Sequence, residues 1–486
     1  MTPLQIIFLI VAYFGVLILI SYFTNQSGNN DEFFKANRQS PWYLVAFGMI
    51  GASLSGVTFI SIPGTVEFDQ FSYFQVVLGY TIGYAVISLV LLPLYYRLNL
   101  TSIYTYLGTR FGNHAYKTGA WFFILSRLVG ASFRLFLVAN VLQLIVFDQL
   151  NVPFYVTVSV TVFLIWLYTF KSGIKTIVWT DSLQTLFMLL ALGVSIYYLS
   201  EDLGISTKNM FQYLGNHEHF QVFFTENVNS PNYFWKQFIS GAFIAIVMTG
   251  LDQDMMQKNL TCKNLKDAQK NILWFTLTLT VVNFLFLSLG LLLIDYAEIH
   301  QITAERDELF PSIATSGNMG FAVAVFFVLG LIAAAYSSAD SALTSLTTSF
   351  SIDILAIETK VKKSKQVMYR KFIHIGISIV FIGVMMVFRY AIKDESVIIK
   401  LFEFAGYTYG PILAMFCIGM FTKFRPTDKL IPIVAIAAPV ITYLISCWAK
   451  DSFNFEFGFF VLILNALICS IGLILISLKH NQSTSA

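Results

Sequence analysis

The stretch that decides the fold is Ala333-Ala334-Ala335-Tyr336-Ser337-Ser338-Ala339-Asp340-Ser341, which lies deep in a long apolar segment. A carboxylate in hydrocarbon has no water around it, so Asp340 requires a partner within the protein. Four small residues recur at positions i, i+3, i+4 and i+7, which is the pattern of one helix face: Ala334, Ser337, Ser338 and Ser341. Small side chains let another helix approach closely, and hydroxyl oxygens are ligands that hard cations prefer. The stretch therefore predicts a monovalent cation site inside a membrane transporter.

The composition of the whole chain supports this interpretation. Of its 486 residues, 57% are hydrophobic and 12% are charged, and the mean hydropathy is +0.71; a soluble domain averages about 25% charged residues. The net charge of +3 and the lack of a large basic patch give no indication of nucleic-acid binding. Four scattered cysteines have no metal-ligand or redox spacing. We find neither a P-loop, which an ATP-driven pump would need, nor a nucleophile or metal cluster that would indicate an enzyme.

About thirteen apolar segments are long enough to cross a bilayer, which takes a helix of about 20 residues. They lie near residues 4–23, 42–66, 70–96, 118–148, 153–170, 176–200, 233–251, 272–296, 318–353, 372–391, 397–421, 430–448 and 456–478. The first lacks the basic region and cleavage site of a signal peptide, so we expect it to be retained. The sequence predicts a single all-α polytopic membrane domain over residues 1–486.

The distribution of basic residues predicts the orientation, because Lys and Arg favour cytoplasmic loops. With the N-terminus outside, 21 basic residues, including Lys258, fall inside and 7 fall outside. The other two, Arg127 and Arg134, lie within a span. We therefore expect a multi-pass protein of the plasma membrane, or inner membrane, with an external N-terminus and a cytoplasmic C-terminus.

Several spans are rich in residues that disfavour a continuous helix. The second span contains Pro63 and the glycines Gly48, Gly51, Gly56 and Gly64. In transporters such a span is often unwound at mid-membrane, where its freed carbonyls bind ions; a continuous helix packed through small residues is the alternative. Two other spans give a weaker indication of discontinuity through Gly241 and Gly250 in the seventh and Gly406, Gly410 and Pro411 in the eleventh.

Acidic residues near the ends of two spans each allow two interpretations. Asp181 stands near the start of the sixth span, where it could cap the helix N-terminus or bind a cation. Local sequence does not choose between these roles. Asp252, Asp254 and Gln257 follow the seventh span and lead into a basic loop. We interpret them as a solvated cytoplasmic helix end in preference to a binding site.

Two arginines lie in the fourth span. Arg127 and Arg134 are seven residues apart and share a helix face. An arginine in the membrane requires a carboxylate or carbonyl partner, and its guanidinium is suited to bidentate recognition of a carboxylate. An internal ion pair with Asp254 or Glu403 is the other explanation. We expect that one of the two arginines is structural.

Four local patterns resemble the sodium/solute symporter family. They are residues 31–38 before Pro41-Trp42, residues 173–181 with Gln184, residues 334–341, and Asp252-Gln253 with Gln257. The resemblance covers nearly the whole chain. It implies sodium-coupled symport by alternating access and a LeuT-like fold with an inverted five-helix repeat. A leading helix at 4–23 would precede a ten-helix core at 42–421, and two trailing helices would follow at 430–478.

The resemblance also implies two sodium sites. The first would use the backbone carbonyls of Gly51, Leu54 and Ala334 with the hydroxyls of Ser337 and Ser338. Some members, including a sialic acid symporter, have a second site, which maps here to Asp181, Ser337, Asp340 and Ser341. Asp340 stands where that relative has a serine, so an Asp181/Asp340 pair could bind sodium more strongly or be partly protonated.

Candidate solute-binding residues follow from the same resemblance. Residues 52–63 are similar to the first core helix of the sialic acid symporter, and Ser53, Ser55 and Thr58 match its substrate-contacting positions. Tyr73 takes the position of an aromatic residue. The relative's carboxylate-binding arginine aligns near Gly130, with Arg134 within reach through a short insertion and Arg127 as the other candidate. These residues imply a hydroxylated or carboxylated solute.

We therefore predict sodium-driven import of a small polar organic solute, such as a sugar, a sugar acid such as sialic acid, or a carboxylate. One or two Na⁺ ions would be coupled to it. The surroundings would be membrane lipid, with no nucleic-acid partner and no obligate protein partner. A proton-coupled carrier that uses Asp181 and Asp340 as a proton relay is the alternative.

Overall fold

The computed structural model describes residues 2–24, 33–34, 36–170, 173–206, 208–304, 306–315, 319–391 and 397–484. All regular elements in these ranges are helical. The pattern of residues 31–38 falls partly outside them. The α-helices are α1 Pro3–Thr24, α2 Trp42–Ser53, α3 Gly56–Asp69, α4 Ser72–Val86, α5 Leu92–Arg97, α6 Thr105–Arg110, α7 Asn113–Leu142, α8 Phe154–Thr169, α9 Ile174–Asp202, α10 Met210–Asn216, α11 Phe234–Ala245, α12 Gln253–Asn259, α13 Leu265–Ile299, α14 Leu309–Thr315, α15 Phe321–Ser349, α16 Ile357–Lys360, α17 Lys363–Ala391, α18 Val397–Phe421, α19 Ile431–Phe453 and α20 Val461–Thr484.

The predicted membrane spans all correspond to helices. Ten helices in the described part of the chain are long and apolar enough to cross a bilayer, and two bent helix pairs bring the number to as many as 12. The fifth predicted span, 153–170, is the apolar helix α8, whose 16 residues fall short of the usual length. The prediction of an all-α polytopic protein is confirmed, and the number of spans is approximate.

A bent helix pair opens each half of the molecule. The α2 and α3 axes meet at 55°, and this pair is called the first broken helix. The segment Phe234–Gly250 meets α12 at 69°, and this pair is called the second broken helix. After the first pair come α4 with α5, then α7, α8 and α9; after the second come α13, α15, α17 and α18. If α8 counts as a span, each group contains five spans, and this odd number would place the two groups in the membrane in opposite orientations, as in an inverted repeat. The predicted breaks in the second and seventh spans are confirmed.

The predicted discontinuity in the eleventh span is wrong, because α18 continues through Pro411. Proline has no N–H, so the helical partner of the Tyr407 carbonyl is missing. Asn465 of α20 donates its Nδ2 to that carbonyl at 2.8 Å and to the Gly406 carbonyl at 3.1 Å. A Cβ at Gly410 would stand 2.4 Å from the same Asn465 nitrogen. The glycines and proline therefore serve the packing of α18 against α20.

Helices α9 and α15 pack along each other through the centre of the molecule, with α2 against α9. Gly51 permits this second contact, since a Cβ there would stand 2.3 Å from the Thr185 hydroxyl oxygen of α9. Every residue of α15 from Leu331 to Ser349 is buried. The serine-rich face of α15 thus meets the first broken helix in the interior. The division into leading, core and trailing helices stays a prediction.

Candidate functional site

The first broken helix exposes backbone oxygen at its break. Helix α2 ends at Ser53, and Leu54 leaves the helical conformation with φ −77° and ψ 78°. The Ser55 N–H, which a continuous helix would direct to the Gly51 carbonyl, donates instead to the Ser53 carbonyl at 3.0 Å. The Gly51 carbonyl is thereby released from the helical hydrogen-bond pattern and can accept a ligand.

The serine face of α15 lies against this break. Ser338 Oγ is 3.5 Å from the Ala52 carbonyl oxygen, and Ala334, Ser337 and Ser338 are completely buried. Neutral carbonyl and hydroxyl oxygens from two helices suit a small hard cation. The residues of the predicted first sodium site therefore offer oxygen ligands of the kind that Na⁺ prefers, and they lie on two helices that contact each other. Their role as ligands stays a prediction.

Asp181 is held by an ion pair in the protein interior. It lies eight residues after Gly173, the N-cap of α9, so the helix-cap interpretation is wrong. Lys258 Nζ of α12 is 2.6 Å from Asp181 Oδ2, and Ser337 Oγ donates to Asp181 Oδ1 at 2.6 Å. A hydroxyl that donates its hydrogen keeps its lone pairs for a cation. Asp181 thus orients Ser337 while its own charge is neutralised by Lys258.

The residues after the seventh span form a second buried charge cluster. Arg127 forms an ion pair with Asp254, Ser341 Oγ donates to Asp254 Oδ1 at 2.7 Å, and the Tyr409 hydroxyl donates to Asp252. Asp252 also caps α12 through the backbone N–H groups of Asp254 and Met255. Asp252 and Asp254 are completely buried, so the interpretation as a solvated helix end is wrong: the aspartates face α7, α15 and α18 and not the cytoplasm.

Asp340 differs from the other buried aspartates of the site. Its Oδ2 accepts a hydrogen bond of 2.7 Å from the Tyr168 hydroxyl of α8, whereas its Oδ1 has no hydrogen-bond partner among the described residues. The four ligands predicted for the second sodium site are therefore engaged separately: Asp181 with Lys258 and Ser337, Ser341 with Asp254, and Asp340 with Tyr168. The role of that set as ligands of a shared ion stays a prediction.

The predicted solute-binding residues lie around one interior cavity. Its free volume is about 60 Å³, room for a few water molecules, and it adjoins the break in the first broken helix. The lining includes all five residues predicted to bind solute: Ser53, Ser55, Thr58, Tyr73 and Arg134. The Tyr73 and Tyr80 hydroxyls are hydrogen-bonded to each other at 3.1 Å. The structure brings the five residues together, and their contact with solute stays a prediction.

The two arginines of α7 have different surroundings. Both are buried and both reach the cavity. Arg127 is neutralised by Asp254, as one interpretation of the sequence expected. Arg134 forms no ion pair with any described residue, and its Nε has no hydrogen-bond partner there. The cavity therefore contains one guanidinium that forms no ion pair within the described structure.

Most of the chain matches a known family of membrane transporters. The model of the sodium:solute symporter family matches residues 33–427. The chain belongs to this family. It is a multi-pass secondary transporter and not an enzyme, and sodium is its coupling ion.

Two relatives and one solved structure extend the likeness over the whole chain. The sodium/sialic acid symporter of Aliivibrio fischeri is 24% identical over 98% of this chain and 93% of its own length. That of Proteus mirabilis is 22% identical over 92% and 90%. The substrate-bound, outward-open structure of a Na⁺-coupled sialic acid symporter superposes with a TM-score of 0.82 at 17% identity, covering 97% of both chains. This similarity supports the LeuT-like fold.

Two residues of this symporter's interior, Lys258 and Tyr168, are not predicted from the sequence. The distribution of basic residues places Lys258 in a cytoplasmic loop, whereas the structure buries it. A signal for Lys258 exists, because Asp254 and Lys258 are four residues apart and share one face of α12, whose neighbours Met255 and Met256 are apolar. Nothing local marks Tyr168, since its contact with Asp340 joins residues 172 positions apart.

Proposed function

We propose that the chain imports a small, hydroxylated carboxylate, such as a sugar acid, together with sodium. The observation that carries this proposal is Arg134, a buried guanidinium in the cavity without an ionic partner among the described residues. A buried charge is stabilised when an opposite charge pairs with it. A solute carboxylate supplies that partner, and two parallel N–H···O bonds orient it.

The rest of the cavity supports a hydroxylated solute. Ser53, Ser55 and Thr58 present hydroxyls along the first broken helix, and Tyr73 and Tyr80 present theirs from α4. Hydroxyl groups both donate and accept hydrogen bonds, so they match the polyol part of a sugar acid. The relatives named as sodium/sialic acid symporters point to the same solute class.

Sodium binding and solute binding would be coupled through the first broken helix. Gly51 and Leu54 would bind the ion with Ala334, Ser337 and Ser338 of α15. Ser53, Ser55 and Thr58, which alternate with them along the same backbone, would contact the solute. The same few residues of backbone thus take part in both sites. A ligand shifts a conformational equilibrium by its differential affinity for the two states, so joint occupancy would favour the alternation of access.

The test is uptake of radiolabelled sialic acid and of a labelled monocarboxylate by proteoliposomes containing the purified full chain. We expect accumulation with an inward sodium gradient and none with potassium. Arg134→Ala should reduce uptake on the order of 100-fold, because truncating one partner of a buried charge pair costs about 2–5 kcal/mol. Arg425→Ala, an exposed arginine on the described surface, is the matched control and should transport normally.

Two outcomes would contradict the proposal. Normal carboxylate uptake by Arg134→Ala would remove Arg134 from solute recognition. Uptake driven by a proton gradient in the absence of sodium would support the alternative carrier in which Asp181 and Asp340 relay protons.

A further inference from the structure

A group of buried polar atoms around Asp340 lacks partners. Asp340 Oδ1 and both amide atoms of Gln184 make no hydrogen bond with described residues, and the same is true of the Tyr13 hydroxyl oxygen. Asp340 and Gln184 are completely buried, and Tyr13 is 3% exposed. Each such atom left alone in the interior costs about 1–3 kcal/mol, and more when charged. Several such atoms on adjoining helices indicate a site for a polar group or an ion.

The three side chains converge from three helices. Tyr13 belongs to the leading helix α1, Gln184 to α9 and Asp340 to α15. Helix α1 packs against both α9 and α15, and the Tyr13 ring packs on Phe187, three residues after Gln184, with centroids 5.9 Å apart. The next residue, Phe14, packs on Tyr336 at 4.8 Å and on Tyr168 at 6.3 Å, and the Tyr168 hydroxyl donates to Asp340. The unpartnered atoms therefore lie in the region where α1, α9 and α15 meet.

The charge around this site favours a cation. Asp181 is neutralised by Lys258, and Asp254 by Arg127. Asp340 has the Tyr168 hydroxyl as its hydrogen-bond partner but forms no ion pair with a described residue. A carboxylate oxygen, an amide oxygen and a phenolic oxygen are all hard donors, which suit Na⁺.

We propose that Asp340 Oδ1, the Gln184 amide oxygen and the Tyr13 hydroxyl bind a second sodium ion. This site is on the Tyr13 side of Asp340 and not between Asp181 and Ser341, where the resemblance would put the second ion. Lys258 already supplies the positive charge at Asp181. The inference deepens the proposed sodium coupling and rests on it, and it gives the leading helix α1 a part in ion binding.

The experiment counts ²²Na⁺ bound per chain in the detergent-purified protein. We expect two ions in the unaltered chain and one in Asp340→Asn. Ser338→Ala should also bind one, because it weakens only the first site. Tyr13→Phe removes a hydroxyl that makes no hydrogen bond with described residues, so folding should persist, and the second ion should bind about fivefold more weakly. Tyr22→Phe, an exposed tyrosine of the same helix, is the matched control and should bind like the unaltered chain.

The outcomes separate this inference from the proposed function. One ion in the unaltered chain, lost in Ser338→Ala and kept in Asp340→Asn, would overturn the second site and leave sodium symport intact. Loss of the second ion in Asp181→Asn and Ser341→Ala with unchanged affinity in Tyr13→Phe would overturn its proposed location. No bound sodium at all would contradict the proposed function as well.

Discussion

At the scale of single residues, two ion pairs dominate the interior of this protein. Both pairs join the second broken helix to a helix of the first half: Lys258 pairs with Asp181 of α9, and Asp254 pairs with Arg127 of α7. Desolvation opposes each pair, and their mutual attraction together with hydrogen bonds from Ser337 and Ser341 offsets it. The broken helix is therefore positioned by charge as well as by packing.

Loss of one member of the Lys258–Asp181 pair should destabilise the protein strongly. Lys258→Met leaves the Asp181 carboxylate buried without its cation, which we expect to cost about 3–5 kcal/mol of folding free energy. The double variant Asp181→Asn with Lys258→Met removes both charges and should recover much of the loss. Thermal unfolding of the purified protein measures both. A double variant no more stable than Lys258→Met would show that the pair itself is not what stabilises this region.

The sequence could predict such residues only in part. Asp181, Asp340 and the small residues of α15 were identifiable because polar groups in an apolar segment need an explanation. Their partners were not, since Lys258 and Tyr168 reach them across distances of 77 and 172 residues along the chain. Periodicity describes one helix face but does not show which other helix that face meets.

At the scale of elements, the contact between α18 and α20 compensates for a proline inside a membrane helix. Pro411 removes a backbone donor, and Asn465 from α20 replaces it at the Tyr407 carbonyl. Without water in the bilayer core, the replacement has to come from a neighbouring helix. The trailing helix α20 is thus part of the structural support of α18.

Asn465→Ala should destabilise this helix pair. It leaves the Tyr407 and Gly406 carbonyls without the Asn465 donor, at an expected cost of about 1–3 kcal/mol. The matched control is Thr442→Ala in α19, where a completely buried hydroxyl donates only to the Ala438 carbonyl of its own helix. Comparison of the unfolding temperatures in one detergent is the measurement. Equal shifts in the two variants would contradict a specific role for the amide.

The same elements show why composition predicted one broken helix correctly and another wrongly. Glycine and proline occur in both the second and the eleventh span. In the second, the break falls at Leu54 and Ser55, where the backbone leaves the helical conformation. In the eleventh, Asn465 satisfies the carbonyls and Gly410 gives it space. Whether a weak helix breaks depends on the neighbour available to complete its hydrogen bonds, which the local sequence does not contain.

At the scale of the whole molecule, the distribution of basic residues still favours an external N-terminus. Lys258 and Arg370 are buried, so 21 minus two gives 19 inside, and Lys236 is buried, so 7 minus one gives 6 outside. The bias is large enough to survive the correction. We therefore propose that the loop around Glu226 is external and that the segment before α17 is cytoplasmic.

Labelling of single added cysteines in intact cells should show this orientation. Glu226→Cys and Ser364→Cys place thiols at exposed positions, and we expect a membrane-impermeant maleimide to label only the first before lysis and both after it. The unaltered chain is the control for background. Its Cys262 and Cys469 are buried, and burial raises the pKa of the Cys262 thiol to about 12, which keeps it unreactive. Labelling of Ser364→Cys in intact cells would invert the orientation.

The pairing of Lys258 with Asp181 also has an electrical consequence. A charge that crosses the membrane field changes in energy by about 2.3 kcal/mol per 100 mV, but a tight pair of opposite charges moves with no net electrical work. A movement that carries α9 and α12 together would therefore do little electrical work through this pair. Transient currents would then report mainly the entering sodium ions and the solute carboxylate. The charge moved per transport cycle would give the number of sodium ions minus the negative charge of the solute.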